Sequence, residues 1–297
     1  MVAGAVLAFS PRVAWAQACC AGASAVTPGR LALHEDALVG VQARFAAVYG
    51  SYDSTAAYRK APSGTSQWDL EQDLFASVRV VRRGQLSLLV PFVESWRRAP
   101  TTGSEFGGGI GDVNASARYD FTWAREVSFL PGIAALAGVT APTGRPPESA
   151  HEPLGSDATG VGAVQLNVGL ALERSFDAWL VSLTGLAAKR LARDVQGVES
   201  DLGTQFTLLG AVAYVFPMEA SVALATTFTA EGNAKVDGAE VSDTSRRLLQ
   251  VALAGSLPLD DRWRLQGAAF FNPPLNAVGK NQPATTGVAL TGVWAFL

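Results

Sequence analysis

Between Val113 and Trp123 the chain alternates: Asn114, Ser116, Arg118, Asp120 and Thr122 take every second place, with Val113, Ala115, Ala117, Tyr119, Phe121 and Trp123 between them. A period of two describes a β-strand with one polar and one apolar face. An alternation of about ten residues exceeds the usual five or six of a globular sheet and matches what a tilted strand needs to cross a bilayer. The same period predicts twelve strands, near 37–49, 68–81, 85–97, 111–123, 126–140, 160–174, 178–190, 203–216, 219–231, 246–258, 262–272 and 285–297.

The links between these segments sort by parity. Even-to-odd links are tight: Arg82-Arg83-Gly84, Trp123-Ala124-Arg125-Glu126, Ser175-Phe176-Asp177, Pro217-Met218 and Leu259-Asp260-Asp261. Odd-to-even links are longer: Gly50 to Gln67, Arg98 to Ile110, Ala141 to Thr159, Leu191 to Leu202, Gly232 to Ser245 and Asn272 to Ala284. Short turns at one rim and long loops at the other characterise outer-membrane barrels, whose short side faces the periplasm. A soluble two-sheet protein, the competing architecture, has no reason to sort its loops this way. The expected fold is therefore all-β: one antiparallel up-and-down transmembrane barrel over residues 37–297.

In such a barrel the apolar faces meet lipid, the first expected partner, and the polar faces line the lumen. The expected lumen residues are Gln42, Arg44, Glu71, Asp73, Arg79, Asn114, Arg118, Asp120, Gln165, Asn167, Glu173, Gln250, Arg264 and Gln266, with small residues such as Ala223, Ala225, Ala252 and Ala254 leaving room on the later strands. Both signs of charge occur, so the same residues serve either a solute path or a network of ion pairs bracing the interior. Pro91 and the pair Pro131-Gly132 fall inside expected strands, where each proline removes a ladder hydrogen bond. They mark bulges or rim positions, or else a kink opening a lateral gap. Aromatic residues collect near strand ends: Trp68, Trp96, Phe121, Trp123, Trp179, Phe216, Trp263 and Phe271. Such rings suit a membrane interface. The last segment, TTGVALTGVWAFL, resembles the C-terminal strand by which the barrel-assembly machinery selects its clients, although Leu297 follows the terminal aromatic Phe296.

Composition narrows the function classes. The 297 residues carry a net charge of −3 with no basic stripe interleaved with aromatics, so nucleic acid is not an expected partner. No window after the N-terminus supplies the roughly 18 apolar residues of a spanning helix. Residues 1–18 combine an apolar stretch, Val2 to Phe9, with the cleavage patterns Ala14-Trp15-Ala16 and Ala16-Gln17-Ala18. They are read as a cleaved secretory signal, and 19–36 as a short periplasmic segment. Cys19 and Cys20 follow that cut, and lipidation of Cys19 stays open because the Leu expected three residues earlier is missing.

Catalytic chemistry has little to stand on. His34-Glu35-Asp36 cannot direct three consecutive side chains at one ion from an extended strand and is read as a solvated rim cluster. His151 falls in the long 142–158 segment as a loop charge. Gly107-Gly108-Gly109-Ile110-Gly111-Asp112 matches neither phosphate-binding spacing and precedes a strand rather than a helix, so its glycines are read as letting a loop bend into that strand. No catalytic residue, metal or cofactor is expected.

Gly109-Ile110-Gly111-Asp112-Val113, Ala141-Pro142-Thr143-Gly144-Arg145 and Thr159-Gly160-Val161-Gly162 resemble the GxGD, PTG and TGxG punctuation of the MetA-pathway phenol-degradation family of outer-membrane proteins. That group is similar to the fatty-acid and aromatic-hydrocarbon channels. The resemblance covers roughly residues 105–175 and implies a barrel of about this strand number acting as a transporter. The N-terminal plug of fatty-acid channels is not apparent before strand one. The function expected is passive passage of a small hydrophobic or aromatic solute across the bacterial outer membrane. The alternatives are a structural or surface-binding barrel with a braced lumen and, third, a barrel-embedded lipid-modifying enzyme using His34 or His151.

Overall fold

A computed structural model describes residues 30–124, 126 and 129–297; the expected signal over 1–18 and Cys19 and Cys20 lie outside the described residues. Twelve antiparallel strands form the wall: β1 (Ala37–Tyr52), β2 (Ser66–Val81), β3 (Gly84–Ala99), β4 (Val113–Thr122), β5 (Gly132–Ala141), β6 (Gln165–Phe176), β7 (Trp179–Arg190), β8 (Gln205–Val215), β9 (Ser221–Glu231), β10 (Arg246–Pro258), β11 (Trp263–Phe271) and β12 (Gln282–Phe296). Each pairs with its neighbours in sequence, and β12 returns to β1 in a ladder from Ala37↔Phe296 to Tyr52↔Gln282. The sheet is therefore closed, which satisfies every wall strand's backbone without a free edge, as a lipid environment demands.

Alternation decides which face is which. Gln42, Asp73, Asn114, Arg118, Asn167 and Ser182 are buried, whereas Val41, Leu74, Leu88, Val168, Leu224, Leu253 and Leu290 on the opposite faces are exposed. A two-sheet protein would bury that apolar set; a barrel turns it to acyl chains. The wall is thus that of a bacterial outer-membrane barrel. Outward-facing aromatics form two rows. Trp68 and Trp96 stack with ring centroids 5.7 Å apart and planes 1° apart, flanked by Phe45 and Phe106 near the long-loop rim. Tyr119 with Phe121, Trp179 with Tyr214 and Phe216, and Trp263 with Trp294 and Phe296 mark the short-turn rim. Two such girdles bound the apolar band of outer-membrane barrels.

Three expectations are corrected. The fifth strand begins at Gly132, not at 126. Glu126 makes the turn after β4, donating its N–H to the Trp123 carbonyl (3.1 Å) and accepting from the Trp123 N–H through Oε2 (2.9 Å). Pro131, unable to donate, precedes the strand, so the link is nine residues long rather than tight. The segment from Arg98 to Ile110 is not a plain loop: Gly103–Ile110 is a strand paired with β3 from Ala99↔Gly103 to Phe92↔Ile110. β3 changes partner at Pro91, pairing above it with that segment and below it with β4. Gly107 to Gly109 accordingly run within a ladder instead of forming a bend. Long loops also carry short ribbons, among them a four-stranded outer sheet joining the β7–β8 and β9–β10 loops.

Candidate functional site: the barrel interior

The interior divides into an inner end, at the short turns, and an outer chamber. Residues 30–36 fold into the inner end. Leu31 packs with Leu38, Phe75, Leu89 and Val293, and its N–H donates to Gln85 Oε1 (3.1 Å). Glu35, 2% exposed, accepts from the Ala32 N–H (2.7 Å) and pairs with Arg264 (2.8 Å). Arg79 donates to the carbonyls of Ala32 (2.5 Å) and Glu35 (3.0 Å). Two sequence readings change here. Glu35 is not part of a solvated cluster, although His34 and Asp36 are exposed, and the interior does hold a segment from before strand one. Seven residues with a turn have no period to read, so alternation could not reveal them.

Beside this segment Arg118 contacts Asp120 Oδ1 (2.9 Å) and Glu173 Oε1 (3.2 Å), and Arg30 reaches the same two carboxylates. Two cations, one from β4 and one from the inner segment, thus face two anions on β4 and β6. A second cavity of about 350 Å³ lies at this end, lined in part by Leu31, Trp123, Leu180 and Tyr214.

The outer chamber encloses about 590 Å³. Arg190 is its hub, donating to Gln165 Oε1 (3.0 Å) and Gln205 Oε1 (2.9 Å) and pairing with Glu231 (2.8 Å). Gln165 passes the chain on to Asn167 Oδ1 (2.8 Å). Asn114 donates to Thr140 Oγ1 (2.9 Å). Arg44 pairs with Glu71 (3.4 Å), and its guanidinium carbon lies 4.5 Å from the centre of the Phe270 ring. Gln250 also lines the chamber, as does Asp73, whose two carboxylate oxygens have no hydrogen-bond partner. Between the two regions Gln42 donates to Thr291 Oγ1 (2.8 Å), and Gln266 stands opposite Thr291 in the β11–β12 ladder.

The candidate residues therefore separate into Arg79, Arg118, Asp120 and Arg264 at the inner end, and Arg44, Glu71, Asp73, Asn114, Gln165, Asn167 and Gln250 in the outer chamber. Arg190 and Glu231 were not among the candidates; both occupy inward positions of predicted strands, so their parity was a usable signal. Arg30 and Glu35 gave no such signal. Among the described residues no three His, Cys, Asp or Glu side chains gather as a metal set.

The glycine motifs meet at the outer rim. Asp112 accepts from the Gly144 N–H (2.9 Å) and the Val161 N–H (2.7 Å), while Thr143 Oγ1 donates to Gly111 O (2.6 Å) and Thr159 Oγ1 to Ile110 O (2.8 Å). A Cβ on Gly160 would lie 2.3 Å from Asp112 Oδ1, and one on Gly107 would lie 2.7 Å from Ser156 and Asp157 backbone atoms. The 142–164 loop is thus clasped against the Gly103–Ile110 strand, whose ladder pairs only with β3. Within that loop the His151 N–H, helped by the Arg145 guanidinium at 2.5 Å, holds the Asp157 carboxyl well below the usual carboxylate range.

No protein-family model matches the chain, and no curated protein matches it. Solved structures do. The COG4313 outer membrane channel from Pseudomonas putida F1 superposes with a TM-score of 0.73 at 18% identity, over 91% of this chain and 100% of that one. The NanC porin superposes with a TM-score of 0.50 at 9% identity, over 87% of this chain and 100% of that one. At these identities the likeness is one of fold: the chain has the architecture of outer-membrane barrels that serve as channels and porins.

Proposed function

We propose that this barrel is a passive outer-membrane channel for small hydrophobic or aromatic solutes, related to the MetA-pathway phenol-degradation family whose glycine motifs it resembles. The observation that carries the reading is the outer chamber: a cavity of about 590 Å³ in whose wall Arg44 pairs with Glu71 and Arg190 with Glu231, and whose lining includes Leu89, Pro91, Leu186 and Leu209. Paired charges hold few ordered counterions and leave an apolar body room to enter. The COG4313 protein, described as a channel, supports the same reading by likeness of fold. Barrel-assembly machinery is a proposed partner through β12, whose outward aromatics end at Phe296.

One observation favours a second reading, a closed barrel that acts through its loops: residues 30–36 and the Arg118 network occupy the inner end. The test uses outer-membrane vesicles from a host with and without the barrel. Channel function requires faster entry of 3-phenylpropanol with the barrel present, and faster still with Phe75→Ala, which thins the packing around Leu31. No difference between vesicles with and without the barrel supports the closed reading.

A further inference from the structure

Every other interior carboxylate of the spanning wall and its inner segment has a partner. Glu35 has Arg264, Glu71 has Arg44, Asp120 and Glu173 share Arg118, and Glu231 has Arg190. Asp69 accepts from Ser95 Oγ at 2.6 Å. Asp73 is the exception: it is 1% exposed, lines the outer chamber, and neither of its oxygens is hydrogen-bonded. The sequence explains the vacancy. In register Asp73 stands between Gln42, whose amide is committed to Thr291, and Pro91, whose side chain has no donor. Arg44, the next inward residue on β1, is spent on Glu71 and on the face of Phe270. Arg44, Glu71 and Asp73 together carry one net negative charge on their side of the chamber; Arg246 and Arg247 also line it, from β10, and neither is hydrogen-bonded to Asp73. An unpaired carboxylate in such a place is costly unless it takes up a proton or something supplies the missing cation.

We infer that Asp73 is the head-group site of the outer chamber and that it takes an ammonium carried on an apolar body, an aryl- or alkylamine. A hydroxyl would offer a dipole where a full charge is missing; an ammonium supplies the charge and three donors. Asn114 Oδ1, also buried and without a donor, is a second acceptor on the same chamber wall. Leu89, Pro91 and Leu186 line that wall and suit the apolar body. This inference rests on the channel reading and sharpens its solute class.

Three probes of one shape separate the possibilities: 3-phenylpropylammonium, 3-phenylpropanol and 3-phenylpropionate, titrated into the detergent-solubilised full chain, wild type and Asp73→Asn. Wild type should bind the ammonium at least about tenfold more tightly than the alcohol, and the carboxylate most weakly. Asp73→Asn keeps shape and removes charge; it should bring the ammonium to the level of the alcohol and leave the alcohol unchanged. Heat-modifiable migration on a gel confirms that the variant is folded. Equal binding of ammonium and alcohol to wild type, tighter binding of the alcohol, or a preference that survives Asp73→Asn would each overturn the inference while leaving the channel reading in place. If none of the three binds wild type, the inference fails, and the vesicle assay decides the channel reading separately.

Discussion

Arg118 shows what a charged residue does inside this wall. From one guanidinium it reaches Asp120 on its own strand and Glu173 on β6, all three nearly buried, and Arg30 closes the group from the inner segment. Removing Arg118 leaves two carboxylates to one cation, and a broken buried pair costs about 3 kcal/mol or more. Arg118→Ala should therefore lower unfolding stability by about that amount in a denaturant titration, whereas a surface change such as Arg59→Ala should shift it little. Arg118→Lys should recover only part, because an ammonium lacks the planar fork that serves two acceptors at once. The inward direction of Arg118 was legible in the alternation of its strand. Its partner was not: Glu173 lies 55 residues away, and a side-chain period carries no register between strands. Arg30 and Glu35 were illegible for a different reason, since short non-periodic segments are placed by the contacts they make.

At the scale of elements, the wall strands followed from period two and the loop parity, and the departures from prediction trace to backbone chemistry. Pro131 delays β5 because it cannot donate to the ladder. Gly103–Ile110 escaped notice as a strand because the consecutive Gly107, Gly108 and Gly109 erase the alternation that side chains would have written. Two of them also matter for close approach: a Cβ on Gly107 would intrude on the 142–164 loop, and one on Gly108 on the Val93 carbonyl of β3. Residues of the GIGD, PTG and TGVG stretches thus meet in one clasp around Asp112. Asp112→Ala withdraws the acceptor from two backbone N–H groups, a local loss of about 1–3 kcal/mol. Limited proteolysis should then cut between Pro146 and Asp157 faster than in wild type while the barrel keeps its heat-modifiable migration. Unchanged cutting would mean that the threonine bonds hold the loop without Asp112.

At the scale of the whole molecule the interior is asymmetric: residues 30–36 pack into the end at the short turns, and the larger chamber lies toward the long loops. Among the described residues the inner end is occupied by 30–36, while the outer loops build ribbons above the rim. Closure of the sheet by β1 and β12 pairs the wall's backbone so that it needs no water, and the two rows of rings fix its height in the bilayer. Those rows hold Trp68 and Trp96 at one edge and Trp179, Trp263 and Trp294 at the other, so the protein's own emission is a depth gauge read from both leaflets. Lipids brominated close to the glycerol should quench its fluorescence more than lipids brominated near the methyl ends, and the opposite order would put the indoles at the bilayer midplane.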